Sequence, residues 1–462
     1  MSPPKLMSNT SAPTGLPTNL SDTSASQRAS YAYFALVVLT LLNLLNYVDR
    51  FIFAALIPYL KDDPSAHYTD AQLGWIGSAF TYVYTVCSPL FGYLGDRYRR
   101  GRLIALGIVI WSLATAAGGA AASFMVLLIA RAAVGVGEAN YATIAPGLLS
   151  DFFVKARRGL VMSIFFAAIP IGSALGFLMG GHFGSPERLG WRHTLYLVGL
   201  PGLLTAAAAF FMREPKRGVM DEESAEAQDK TFGWVEGYRI LFTNRGYLFA
   251  CFGYAAITFA LGALVFWAPE WLKSDKGMSV EDANKVLGVC AVIGGAVGTM
   301  AGGVIADRLT KKIRGAFFWV CAASSLLAAI PTMVAITSHN KTVYLISIFL
   351  GITLVFIGNG PVNAVLVNLV PANLRTTALG LVVVIIHVLG DGISLSLVGS
   401  ISTALTRMKD ALPGSIITLG NVFNIDPHTQ TLSVALLLMP VAMVVSGVLY
   451  AIGLKTPEGK RT

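Results

Sequence analysis

Twelve apolar stretches, most of them about the length needed to cross a hydrocarbon layer as helix, constrain this chain more than any other feature. They run over residues 31–59, 72–94, 103–122, 124–149, 160–183, 195–212, 247–272, 286–306, 316–336, 343–370, 377–405 and 432–452. No soluble core needs so many runs of that length. In lipid every backbone N–H and C=O must find its partner within the chain, so such runs become helices. The charged fraction agrees: 13% of residues, against about 25% in soluble domains. The expected fold class is therefore an all-α membrane protein with twelve transmembrane helices.

The formal charge of +9 could point to nucleic acid, but the basic residues lie in loops between spans. One set of loops holds Arg97, Arg99, Arg100, Arg102, Lys155, Arg157, Arg158, Arg213, Lys216, Arg217, Arg308, Lys311, Lys312 and Arg314. The opposite set is poorer, with Lys61, Arg188, Arg192, Lys273, Lys276, Lys341, Arg407 and Lys409. The positive-inside rule reads this asymmetry as both termini cytoplasmic, and nucleic acid is not expected as a partner. Cys87, Cys251, Cys290 and Cys321 all fall in apolar stretches and read as small buried hydrophobes, with no metal or disulfide role. Residues 1–30, rich in Ser, Thr, Pro and Asn, read as a disordered tail without the apolar core of a cleavable signal. Two bundles are expected, 31–212 and 247–454, joined by a cytoplasmic linker over 213–246 and followed by a short tail over 455–462. The linker carries the acidic run 221–223 and a short interfacial helix near Trp234 to Leu241. The outer loop over 406–430 suggests no chemistry. With no address signal, a plasma or bacterial inner membrane is the expected location.

The informative residues are the charges inside the spans. Arg131 and Glu138 stand seven positions apart in the fourth stretch, about two helical turns, and so share one face. Asp49 and Arg50 sit in the first stretch. A charge near the bilayer centre costs at least a few kcal/mol, so these four are expected to face a cavity or one another. Asp49 and Arg50, as neighbours on a helix, point about 100° apart and need not pair together. Glu138 and Asp49 suit proton coupling: burial resists ionisation of a carboxyl, a guanidinium favours it, and a conformational change that alters their separation drives uptake and release. A permanent ion pair from Glu138 to Arg131 or Arg50 is the structural alternative. Arg50 and Arg131 suit a phosphate or carboxylate.

The two halves repeat at corresponding places. Gly92-Tyr-Leu-Gly-Asp96-Arg97 follows the second span and Gly303-Val-Ile-Ala-Asp307-Arg308 follows the eighth. Residues 151–158 after the fourth span match 368–375 after the tenth. Such symmetry belongs to transporters built from two bundles around a midplane site. The Gly92 to Arg102 loop looks like the signature of the major facilitator superfamily. Asn46-Tyr47-Val-Asp49-Arg50, with Arg131-Ala-Ala-Val-Gly-Val-Gly137-Glu138, resembles the Spinster family within it.

That resemblance implies two six-helix bundles, alternating access, a monomer without cofactors or enzymatic activity, and substrates that are lysophospholipids or sphingosine-1-phosphate-like lipids, moved with or under the influence of protons. It also implies that spans one, four, seven and ten line a central cavity. The site residues expected on it are Asp49 and Glu138 for proton coupling, and Arg50, Arg131, Tyr254, Phe259, Asn359 and Asn363 for substrate, with Phe266 beside them. Gly92, Asp96, Arg97, Asp151 and Arg158 read as a cytoplasmic gate. His387 and Asp391, four apart in the eleventh span, read as a candidate proton relay or as an interhelical hydrogen bond to the second or eighth span. Glycines over 172–181 and 294–303 supply close-contact faces for sliding helices. A carrier of soluble organic anions and a non-transporting membrane sensor on the same fold remain the alternatives.

Overall fold

The protein is described by a computed structural model that covers residues 19–65, 67–215, 234–371, 374–408 and 411–457. Among these residues eleven helices are long and apolar enough to cross a membrane. The expected second span is the further one, a 28-residue helix over Asp70–Arg97, or about 42 Å. Its apolar content is diluted by Ser78, Thr81 and Thr85, which are buried and pack against neighbours instead of lipid. The first helix begins at Asn19, so residues 19–30, expected in the tail, continue the first span; residues 1–18 lie outside the described set. The expected interfacial helix is present over Trp234–Thr243, whereas the acidic run 221–223 is outside the described residues. The outer loop contains a short helix, Gly414–Phe423.

Polar caps start the spans where the sequence places them. Thr69 and Gln72 form a reciprocal capping box before the second helix. Ser123, Asn244, Ser279 and Asn340 cap the fourth, seventh, eighth and tenth, each accepting from a backbone N–H three residues on. Four spans are broken among the described residues. Pro201 divides the sixth, π-turns at Cys290–Gly294 and His387–Asp391 interrupt the eighth and eleventh, and a turn at Leu437 interrupts the twelfth.

Each half packs in the same order: second against fourth and third against fourth in one, eighth against tenth and ninth against tenth in the other. Small residues set the distances. Gly172 and Gly176 lie against the backbone of the first helix at Leu44 and Val48, and Gly298 lies against Phe356 of the tenth. Gly172, Gly176 and Gly298 thus pack inside their own halves, whereas Gly181 lies against Asn284 of the eighth helix, across the interface.

Across the interface the two ends differ. At the end that carries Lys61, the second and eleventh helices are stitched together. Ala71 N donates to Thr403 Oγ1 at 2.8 Å, Ser402 Oγ to Asp70 Oδ2 at 2.6 Å, and Ser78 Oγ to Gly392 O at 2.6 Å. At the basic-loop end, a methyl group placed on Gly147, Gly360 or Gly380 would meet nothing within 4 Å among the described residues. The halves are closed on each other at the Lys61 end and part at the basic-loop end.

Candidate functional site

The first and fourth helices bring the four charges together as two crossed pairs. Arg50 donates to Glu138 Oε2 from Nη2 at 2.9 Å and from Nε at 3.1 Å. Asp49, turned away as consecutive helical positions require, accepts from Thr115 Oγ1 of the third helix at 2.9 and 3.0 Å. Arg131 Nη1 stands 3.8 Å from Asp49 Oδ2, an electrostatic contact too long for a hydrogen bond. Aromatic faces complete the setting. The Arg131 guanidinium lies over Phe53 and Phe80, and that of Arg50 over Tyr47, Phe80 and Tyr84 at 5.0–5.4 Å.

Exposure separates the four. Asp49, Glu138 and Arg131 are sealed, while the Arg50 side chain keeps a quarter of its surface accessible. Glu138 Oε1 and Arg131 Nε and Nη1 are buried without a hydrogen-bond partner among the described residues. Such a site holds its charges under tension: each depends on one neighbour, and moving that neighbour leaves a buried ion uncompensated.

Beyond Tyr47, whose ring lies under the Arg50 guanidinium, opens a cavity of about 320 Å³. Its wall is drawn from Tyr47 of the first helix, Tyr254 and Leu261 of the seventh, Asn359 of the tenth, His387 of the eleventh and Tyr450 of the twelfth. Tyr254 Oη donates to Asn359 Oδ1 at 3.4 Å. The expected lining changes at several positions, and neither Asp49 nor Arg50 is on the wall, where the first helix contributes Tyr47. The fourth helix contributes no wall residue, because Arg131 and Glu138 lie behind the first helix. Phe259 is off the wall, its backbone packed where the eleventh helix crosses at Gly390. Phe266 is buried at the closed end against Phe53 and Trp267. Asn363 lies one turn beyond the cavity, exposed towards the basic-loop end, and donates to Asn359 O at 2.8 Å.

The gate residues sit at the parted end. Asp151 is bound by Arg100 Nη2 at 2.6 Å, whereas Arg158 Nε donates to the Ser150 and Phe153 carbonyls at 3.1 Å and closes the turn after the fourth helix. Arg97 stacks on Tyr93 at 4.0 Å, and both it and Asp96 are exposed. Gly92 comes within van der Waals distance of Thr143 of the fourth helix. His387 Nδ1 pairs with Asp391 at 3.0 Å within the π-turn, and its ring meets Tyr84 edge-on, so the residue it faces across the interface belongs to the second helix.

Sequence reading missed Thr115, Tyr84 and the closed-end ions. There Lys61 Nζ bridges Asp70 at 2.8 Å and Glu270 of the opposite half at 3.0 Å, and Lys273 reaches Asp62 at 2.5 Å. A carboxylate at the end of an apolar run, as Glu270 is, was the available signal. Nothing in the sequence singles out Thr115 from the many threonines.

Two packed helical bundles, a buried charge cluster and a cavity between them define a major facilitator transporter, and the profile of the Major Facilitator Superfamily matches residues 39–395. The chain is 32% identical over 421 residues to protein spinster homolog 3 of Danio rerio, covering 87% of this chain and 82% of that protein. It is 34% identical over 389 residues to protein spinster homolog 1 of Homo sapiens, covering 80% and 73%. Among solved structures, a bacterial homolog of the human lysosomal transporter Spinster, in an inward-facing and unoccupied conformation, superposes with a TM-score of 0.76 at 24% identity, covering 92% of this chain and 95% of that one. A D-xylose-proton symporter shares the fold at a TM-score of 0.68 and 16% identity, covering 93% and 99%. The chain belongs to the Spinster family of the major facilitator superfamily. It is a multi-pass membrane transporter and not an enzyme.

Proposed function

We propose that the protein moves lysophospholipids or sphingosine-1-phosphate-like amphiphiles by alternating access, coupled to protons. The observation that carries this reading is the position of Arg50: partly exposed, paired to a sealed carboxylate, and stacked on Tyr47, which lines a largely apolar cavity. A phosphate drawn to Arg50 competes with Glu138 for the same guanidinium. Glu138 then loses its hydrogen-bonded partner while remaining out of water, and a proton is a way to neutralise it. Asp49 stands one shell further in, tied to Arg131 and Thr115, and responds when the first helix moves against the third and fourth. Arg131 supports the cluster in this conformation and reaches substrate only after such a movement. The apolar wall of Leu261, Val355 and Ile386 accommodates an acyl chain.

The basic loops mark the cytoplasmic side, which makes the present conformation open to the cytoplasm with both termini on that side. Asp96, Arg97, Asp151 and Arg158, now at the parted end, would close it in the opposite state. A monomer suffices, since cavity and charges all come from one chain. The test is uptake of labelled lysophospholipid and sphingosine-1-phosphate into proteoliposomes under an imposed pH gradient. Saturable, gradient-dependent uptake supports the reading; flux of soluble organic anions alone replaces it.

A further inference from the structure

The proton and phosphate chemistry above uses the N-terminal half. The C-terminal half brings its own ionisable pair to the same place, and that pair has no role yet. His387 lies on the cavity wall and holds Asp391 through Nδ1 at 3.0 and 3.1 Å to its two carboxylate oxygens. Both side chains keep part of their surface accessible, 20% and 24%. The pair sits in the π-turn, where Gly390 leaves helical geometry (φ −94°, ψ −109°), an arrangement frequent at functional sites.

Aromatic groups surround it. Tyr84 meets the His387 ring at 5.6 Å, Tyr82 lies beside Gly392, and Tyr254 shares the cavity wall with His387. A carboxylate framed by tyrosine rings is the environment that receives an alkylammonium. On the other face of the same contact chain, Arg50 stands 5.0 Å from the centre of the Tyr84 ring. The cationic group for a phosphate and the anionic group for an amine are therefore linked through two rings, Tyr84 and His387. A headgroup that carries a phosphate and an amine offers one charge to each end of that chain.

We propose that Asp391, oriented by His387 and flanked by Tyr82 and Tyr84, is the subsite for the amine of a zwitterionic phospho-amphiphile whose phosphate lies on Arg50. This rests on the reading of Arg50 as the phosphate site. It makes the chain selective for an amine-bearing headgroup over a bare phosphate, and it places the two charges of one headgroup on opposite halves. Substrate then holds the halves together across the midplane, which a purely anionic lipid does not. Asp391 touches substrate in this account, while His387 is a positioning residue.

The experiment measures binding of 1-palmitoyl lysophosphatidylcholine and of 1-palmitoyl lysophosphatidic acid, which has the same chain without the amine, to the full-length protein in nanodiscs. Asp391→Asn should weaken the choline lipid by about tenfold or more, the size expected for losing a charged contact, and leave the phosphatidic acid analogue unchanged or tighter. Asp391→Glu should restore the preference in part, and His387→Gln should reduce it less than Asp391→Asn. Retained binding of the anionic lipid reports that each variant is folded. Equal loss for both lipids, or no loss for either, overturns the subsite while leaving the phosphate site standing. Binding of neither lipid by the wild type refutes the lysolipid reading and the subsite with it.

Discussion

Removing the Lys61 ammonium, as in Lys61→Met, should open the end of the molecule that is now shut. Lys61 lies between Asp70 of its own half and Glu270 of the other, at 2.8 and 3.0 Å, and these carboxylates are 5% and 1% exposed. Without it, two buried carboxylates from opposite halves face each other, with Lys273 still 3.9 Å from Glu270 and Ser402 still donating to Asp70. Breaking a buried pair by removing one partner costs about 3–5 kcal/mol. The remaining partners, and the 31% exposure of the Lys61 side chain, reduce this to about 2 kcal/mol. That corresponds to about a thirtyfold shift towards the conformation in which water reaches Glu270. Spin labels at Glu187→Cys and Lys341→Cys, exposed positions on opposite halves near that end, report the separation as a distance distribution. Lys61→Met should add or enlarge a long-distance population. Lys61→Met with Glu270→Gln should recover at least half of the short one, because a neutral amide needs no counter-ion. An unchanged distribution in a folded Lys61→Met protein would refute the claim that this bridge holds the halves closed.

Four further outcomes follow from the same geometry. Thr115→Val removes the only side-chain hydroxyl donating to Asp49 among the described residues and should cost about 1.5–3 kcal/mol, read as a lower thermal midpoint in detergent. Gly380→Ala should be tolerated or slightly stabilising in this conformation, because its side chain would meet open space. Gly77→Leu, aimed at Phe266 and Leu395 of the opposite half, should prevent closure of the Lys61 end in cysteine-accessibility assays. Lys276, beyond the seventh span, donates to the Ile336 and Ser338 carbonyls, and burial pushes its amine down from 10.5 to about 8. Between those values the unfolded chain binds the extra proton, so this group's penalty is fully present below about pH 8 and fades as pH rises towards 10.5. Wild-type stability should therefore gain more than that of Lys276→Met over this window in paired thermal scans.

The spans, the charged site and the family were legible because each is written in local composition. Apolar runs of membrane length, Asp49-Arg50 in one and Arg131 to Glu138 in another, need no tertiary information. The pairing did need it. Asp49 and Arg50 diverge on their helix, and which of them meets Glu138 depends on how the first helix is rotated against the fourth, a quantity fixed by Gly172 and Gly176 packing on the first helix from the other side. The cavity wall was misassigned at Phe259 and Phe266 for a related reason. Both lie in the seventh helix on faces that the crossings of the eleventh and first helices cover, and no period within the seventh reveals those crossings. The closed-end bridge joins residues 61, 70 and 270, whose proximity exists only in one of the conformations a two-bundle transporter adopts.

The most direct test of the central claim compares wild type and Glu138→Gln in proteoliposomes, measuring lysophospholipid uptake as a function of an imposed pH gradient. Competition between substrate phosphate and Glu138 for Arg50 predicts gradient-stimulated uptake in the wild type and, in the variant, binding without gradient stimulation. The same gradient dependence in both proteins would contradict it and leave Glu138 as a fixed structural partner of Arg50.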